Sequence, residues 1–273
     1  MDFKLILGIL GNAIAIALFA SPLPTFWKIF KKKDTEDYSG IPYVATLMNC
    51  LLWVLYGLPL VSKDALLVLT INVAGCAFEI SYLILFLLYS PKMERRKVGK
   101  ILIAVTIVYS ILVSLSLIVV PKKTRKMEVG SLCVIFGVGM YVSPLSVMRL
   151  VIKTRSVEYM PLLLCICVFL NSTVWTGYGI LAKDVFIIIP NALGMLAGVL
   201  QLSLHVIYRH AIPLENDIED EPAKGSRAAG GDIAAQTVYP TVEKDGRPHP
   251  SKTTASSTHR STNVSTPGSG GIV

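Results

Sequence analysis

The first 210 positions are filled by long apolar runs separated by short polar stretches, and the polar stretches hold almost all of the charge. A helix that crosses a bilayer needs roughly 20 mostly apolar residues. Seven runs meet that requirement, at about 5–29, 41–61, 65–89, 101–121, 129–151, 160–182 and 185–208. Beyond residue 212 the pattern stops. Stretches such as "SKTTASSTHRSTNVSTPGSGG" are rich in Ser, Thr, Gly and Pro and have too little apolar content to fold, so they predict a disordered tail.

Two of the runs contain a residue that helices resist. Ser21-Pro22-Leu23 and Ser143-Pro144-Leu145 place proline inside an apolar stretch. There it removes a backbone hydrogen bond and clashes with the preceding turn, at a cost of about 3 kcal/mol or more. The two tripeptides lie 122 residues apart, and the agreement continues along the chain. Pro42 pairs with Pro161 (offset 119), "WVLYG" at 53–57 with "WTGYG" at 175–179 (122), and Lys63-Asp64 with Lys183-Asp184 (120). Asn72 and Gly75 pair with Asn191 and Gly194 (119). Ordered matches at a nearly constant offset mark an internal duplication. Each copy holds three helices, so directly fused copies would be inverted. The run at 101–121 belongs to neither copy, adds one crossing and restores a common orientation.

These observations predict an all-α membrane protein of seven transmembrane helices in a 3+1+3 arrangement, two parallel three-helix bundles joined by a linker helix. The expected division is a first repeat at 1–90, the linker helix and its flanking loops at 91–127, a second repeat at 128–210 and the disordered cytosolic tail at 211–273. In repeat-built transporters the substrate site lies near the midplane at the repeat interface.

Composition agrees. Of 273 residues 53% are hydrophobic and 16% charged, against about 25% charged in soluble domains, and the mean hydropathy is +0.60. The first run is too long for the apolar core of a cleavable signal peptide. The pI of about 9.2 does not point to nucleic acid, because the cations flank apolar runs and form no groove-tracking stripe. Thirteen Lys and Arg follow runs one, three, five and seven, and seven lie on the opposite side. By the positive-inside rule the N-terminus is outside and the tail cytosolic, although the loop "PKKTRK" opposes this assignment. All five cysteines fall in apolar runs, with neither zinc spacing nor a disulfide framework, and read as small packing residues. No nucleophile–base pair or metal cluster stands out, so neither an enzyme nor a cofactor is expected.

The motifs "SPLPTF", "SGIPY", "YGLP", "TIN", "MYVSPLSVMRLVIKTRSVEYMP" and "IPNALG" resemble those of the plant SWEET sugar transporters, themselves a standing example of parallel-repeat carriers. The resemblance runs in order over about residues 5–210. It implies facilitated, bidirectional movement of a mono- or disaccharide by alternating access, in the plasma membrane or alternatively the vacuolar membrane, with a tendency to self-associate. Its residues carry over by position. Pro22, Pro42, Pro144 and Pro161 match the family's proline tetrad and are expected to act as hinges; Pro42 and Pro161 sit near helix starts, Pro22 and Pro144 inside helices. Asn72 and Asn191 match its sugar-binding asparagines, and an amide offers both donors and an acceptor to vicinal hydroxyls. Trp175 matches a pocket aromatic. Trp53, its repeat mate, stands where the family often has a smaller residue, which narrows the site and favours a hexose such as glucose. Asn171 lies one helical turn before Trp175 on the same face and either bonds the sugar or simply packs. Tyr56, Tyr178 and Asp184 resemble an outer gate closed by a tyrosine–carboxylate hydrogen bond, with Lys63, Asp64 and Lys183 available for charge pairs.

Glu79 is the one charge deep inside a run. Buried carboxylates often mark proton relays, so a proton-coupled transporter is the first alternative. The reading preferred is structural, with Glu79 held by a cation or hydroxyl at the inner end of its helix. A seven-helix receptor is the second alternative; the 3+1+3 duplication and the lack of an outer cysteine pair argue against it.

Overall fold

A computed structural model describes residues 2–211; apart from Ala211, the expected tail lies outside the described residues. The chain forms α1 (Phe3–Ala20), α2 (Leu23–Lys32), α3 (Ile41–Gly57), α4 (Leu66–Tyr89) and α5 (Lys92–Ser114). A π-helical turn (Leu115–Val119) prolongs α5, and α6 (Lys122–Gly139), α7 (Val142–Thr154), α8 (Leu162–Ala182) and α9 (Val185–Tyr208) follow. Counting α1 with α2, α5 with its π turn and α6 with α7, six stretches are long and apolar enough to cross a membrane, and α3 is a shorter apolar helix. At 1.5 Å per residue its 17 residues reach about 25 Å, close to the lower limit for a crossing.

The predicted first and fifth runs are each two helices, which corrects the placement of two prolines. Pro22 is the N-cap of α2, and Pro144 falls in the first turn of α7. Neither sits in a helix interior. At a helix start the missing N–H is one that would lack an intrahelical partner anyway. The tripeptide therefore breaks the helix in two and restarts it. Pro42 and Pro161 stand at helix starts as expected, in the first turn of α3 and at the N-cap of α8.

Other boundaries differ from the apolar runs for local reasons. α5 and α6 begin at Lys92 and Lys122, not near 101 and 129. Their first turns are charged, but Lys, Arg, Glu and Met are good helix formers, and Pro91 and Pro121 stand where proline is tolerated at a helix start. α3 stops at Gly57, not near 61. Leu58 precedes Pro59 and is extended, with ψ 140°, as sterics before proline require.

The duplication is visible in the packing. In the first bundle α4 packs against α1, α2 and α3; in the second α9 packs against α6, α7 and α8. Across the bundles α1 meets α8 and α6 meets α3. Glycines make the corresponding close approaches. A methyl on Gly57 would lie 2.8 Å from Leu69 Cβ, and one on Gly179 would lie 2.9 Å from Ile188 Cγ1. Leu69 and Ile188 are themselves 119 residues apart. Gly75 abuts Phe19 and Cys50, and Gly194 abuts Tyr141 and Ser172, again position for position.

α5 breaks the symmetry. It packs on α3 and α4, and its π turn packs on α6. Arg125, on α6, is buried and donates to the carbonyls of Leu117, Val120 and Leu60, which satisfies the end of the π turn. The other face of α5 exposes Ile103, Ile107, Ile111, Leu115 and Ile118. An apolar surface of that extent fits a lipid environment.

Candidate functional site

The two bundles enclose a cavity of about 340 Å³, at the lower end of the roughly 300–1,000 Å³ of small-molecule sites. Its walls are mostly apolar, with a few polar side chains brought in from both bundles.

Asn72 of α4 and Asn191 of α9 both line it. Each amide donates to the carbonyl one turn back on its own helix, Asn72 to Val68 and Asn191 to Ile187, at 2.8 Å in both cases. That bond fixes the side chain and leaves a second N–H and the carbonyl oxygen for a ligand. Trp53 and Trp175, both buried, line the same cavity. Each indole meets the tyrosine three residues on edge to face, Tyr56 at 5.5 Å and Tyr178 at 5.3 Å. A methyl on Gly11 of α1 would lie 2.9 Å from the Trp175 ring, so the absence of a side chain there lets the indole pack directly against α1.

Asn171 also lines the cavity, and so does Asn49, which sequence reasoning missed. The signal was available: the offset of 122 that pairs Trp53 with Trp175 also pairs Asn49 with Asn171. The Oδ1 of each is buried without a protein partner. These are two unpaired acceptors related by the repeat, in residues that line one cavity, and a buried polar atom left unpaired costs about 1–3 kcal/mol.

Beyond the indoles one end of the cavity is closed. The Tyr56 hydroxyl donates to both oxygens of Asp184 at 2.7 Å. Asp184 is buried and also accepts the Phe186 N–H at 3.2 Å as the N-cap of α9. A carboxylate at a helix N-terminus is favoured by the helix dipole. The cation beside it is Lys126, with Nζ 2.8 Å from Oδ2. Lys63 and Lys183 form no ion pair among the described residues, and that expectation is corrected: Lys126 descends from α6 onto the carboxylate, whereas Lys183 ends α8 in a left-handed turn with φ 53°. Lys126 was also legible through the repeat, since it lies 122 residues after Lys4, whose ammonium sits 5.8 Å over the Tyr178 ring. The counterpart closure is weaker. Tyr178 reaches only the backbone carbonyl of Asp64, at 3.4 Å.

Pro144 touches the cavity, whereas Pro22, Pro42 and Pro161 do not line it. Glu79 does not line it either. It is 4% exposed, its Oε2 has no partner and no cation pairs with it among the described residues, which corrects the expected anchoring partner.

A family model described as "Sugar efflux transporter for intercellular exchange" matches residues 5–94 and 127–211, leaving out most of α5. Bidirectional sugar transporter SWEET7b of Oryza sativa subsp. japonica is 47% identical over 211 residues, 77% of this chain and 80% of that protein. Bidirectional sugar transporter SWEET1a of Sorghum bicolor is 47% identical over 240 residues, 86% and 87% of the two chains. A solved structure of a eukaryotic SWEET transporter aligns with a TM-score of 0.73 at 38% identity, covering 76% of this chain and 96% of that one. The chain belongs to the SWEET family, which consists of multi-pass membrane carriers and not enzymes.

Proposed function

We propose that the protein is a bidirectional uniporter for a hexose such as glucose, working by alternating access in the plasma membrane with its N-terminus outside. The observation that carries this reading is the convergence of repeat-related pairs on one small cavity: Asn72 with Asn191, Asn49 with Asn171, and Trp53 with Trp175. Amides suit ring hydroxyls, and indole faces suit the apolar face of a pyranose. Two indoles and about 340 Å³ favour a monosaccharide over a disaccharide.

In this mechanism Tyr56, Asp184 and Lys126 form the outer gate, closed in this conformation. The breaks at Pro22 and Pro144, with Pro42 and Pro161 at the neighbouring helix starts, let the cytoplasmic halves of the repeats (1–90 and 128–210) swing about the linker (91–127). No covalent step is required. Glu79 stands off the cavity, and its repeat mate is Gly198, so it plays no part in sugar binding and transport is uncoupled.

The test is uptake of radiolabelled glucose, fructose and sucrose in transporter-deficient cells, with and without a pH gradient. Glucose uptake should be the largest and insensitive to the gradient. Asn72→Ala and Asn191→Ala should abolish it while surface expression persists; unchanged uptake in both would remove the pocket from the mechanism.

A further inference from the structure

The cavity is symmetric near the gate and lopsided away from it. Seven lining residues come from the first repeat, and each has its repeat mate among the thirteen from the second. The second repeat then continues alone through Met140, Pro144, Val168, Gly194, Ala197 and Gln201. Their mates in the first repeat are Leu18, Pro22, Thr46, Gly75, Phe78 and Tyr82, and none of them lines the cavity. Along α9 the lining runs from Ile187 to Gln201, and along α4 only from Val68 to Asn72. At 1.5 Å per residue these lengths are about 21 Å and about 6 Å.

A plug accounts for the difference. Tyr82 occupies the position that Gln201 holds in the second repeat. Its hydroxyl donates to the Phe19 carbonyl at 2.8 Å, in the last turn of α1. Its ring stacks on Phe26 of α2 at 4.5 Å and meets Tyr43 of α3 at 5.8 Å. One buried side chain thus clasps both sides of the α1–α2 break. Around it lies a buried cluster that includes Leu47, Leu83 and Phe86. The corresponding cluster of the second repeat has Val147, Val151, Met160 and Cys165 as its buried members, and its rings, Tyr159 and Tyr208, are only partly buried at its margin. α5 braces α3 and α4, whereas among the described residues no helix stands in the same relation to α8 and α9.

We infer that sugar passes between the central site and the end of the molecule bearing Lys33 and Arg155 along the second repeat alone, between α7, α8 and α9 and past Gln201, because the equivalent route in the first repeat is filled by the Tyr82 clasp. The first repeat offers no aqueous path at that end, and the start of α7, at Pro144, borders the path that remains. The inference rests on the central-site reading only for what travels, not for where water reaches.

The test is cysteine accessibility at repeat-related positions. Met140→Cys and Val168→Cys are compared with their mates Leu18→Cys and Thr46→Cys. The full-length protein is placed in lipid nanodiscs and treated with a charged, water-soluble methanethiosulfonate reagent. Adducts beyond those of the parent, which keeps its five native cysteines, are followed by intact mass. A side chain outside a water-filled path reacts only through local opening, so the second-repeat pair should react at least about tenfold faster than the first-repeat pair. Equal rates, faster reaction in the first repeat, or no reaction at Met140→Cys and Val168→Cys would overturn the one-sided route. No sugar is present, so the result does not depend on the pocket assignment, which fails or stands on the asparagine variants.

Discussion

Tyr56 donates its hydroxyl to both carboxylate oxygens of Asp184 at 2.7 Å, whereas Tyr178, its repeat mate, reaches the Asp64 backbone at 3.4 Å. The sequences of the two ends are nearly interchangeable, but of these two tyrosines only Tyr56 makes its cross-bundle latch through a side-chain carboxylate. A hydrogen bond to a charged group contributes about 1.5–3 kcal/mol, against about 1 kcal/mol for a neutral one. Tyr56→Phe should therefore shift the protein towards the open gate and lower glucose exchange about tenfold or more, and Tyr178→Phe should change it by no more than about threefold. Exchange rates in proteoliposomes, together with the reactivity of a cysteine placed below the gate, distinguish the two. Equal losses would mean that the asymmetry has no energetic weight.

Lys126 closes the same latch from a half-exposed position, with 43% of its side chain accessible. Exposed ion pairs contribute about 0–1 kcal/mol and are screened by salt. Lys126→Gln should therefore lower exchange less than Tyr56→Phe, by about two- to fivefold, and the loss should shrink as salt is raised. A salt-independent loss of tenfold or more would show instead that Asp184 depends on the lysine to stay buried.

Asn49 and Asn171 line one cavity, and the Oδ1 of each is buried without a protein partner. If each accepts a hydroxyl from the sugar, alanine at either position removes a neutral hydrogen bond of about 1 kcal/mol, a fivefold to tenfold weakening. The weakening should appear in the apparent affinity, with the maximal rate little changed, and be similar for both. An effect at Asn171 alone would leave Asn49 as a packing residue.

The duplication, the helix count and the paired asparagines and indoles were legible in the sequence because they repeat at a fixed offset. Lys126 and Asn49 could have been reached by extending the offset to every polar residue. Tyr82 could not, since its mate Gln201 differs in kind and the asymmetry appears only once both bundles are packed. Apolar runs also misjudge helix ends, because 92–100 is as good a helix as it is a poor membrane span. For prolines a run shows that one is present but not on which side of it the helix restarts.

Gly194 has no room for a side chain: a methyl there would lie 2.5 Å from the Tyr141 hydroxyl oxygen and 2.6 Å from Ser172 Oγ. That hydroxyl itself donates to the Pro190 carbonyl at 2.5 Å. Forcing extra volume into a packed interface costs about 1–3 kcal/mol, so Gly194→Ala should lower the melting temperature. Gly99 lies in α5 with nothing within 4 Å of an added methyl. Removing a helical glycine there should add about 0.5–1 kcal/mol of stability. Thermal unfolding in detergent checks both signs, and a stabilised Gly194→Ala would show that α8 and α9 have slack between them.

The two helix breaks differ in how firmly they are built. At the first, Pro22 is followed by Pro24, also within the opening turn of α2. At the second, Pro144 stands alone, and the position equivalent to Pro24 is Ser146. Alanine at 144 would restore an N–H able to donate to the Met140 carbonyl, which now accepts only a tighter bond from Ser143 at 3.3 Å. α6 and α7 could then join as one helix. Alanine at 22 offers an N–H to the Leu18 carbonyl, but Pro24 still removes the next-but-one bond and keeps α1 and α2 apart. Pro144→Ala should therefore slow exchange about tenfold, equivalent to about 1.4 kcal/mol of barrier, without lowering the melting temperature. Pro22→Ala should have a smaller effect, and Pro22→Ala with Pro24→Ala together should approach the Pro144 result. Pro144 also touches the cavity, so the loss must fall on the rate of exchange at saturating glucose and not on apparent affinity. A pure affinity loss, or equal effects of the single substitutions at 22 and 144, would count against the broken α6–α7 helix as the element that moves.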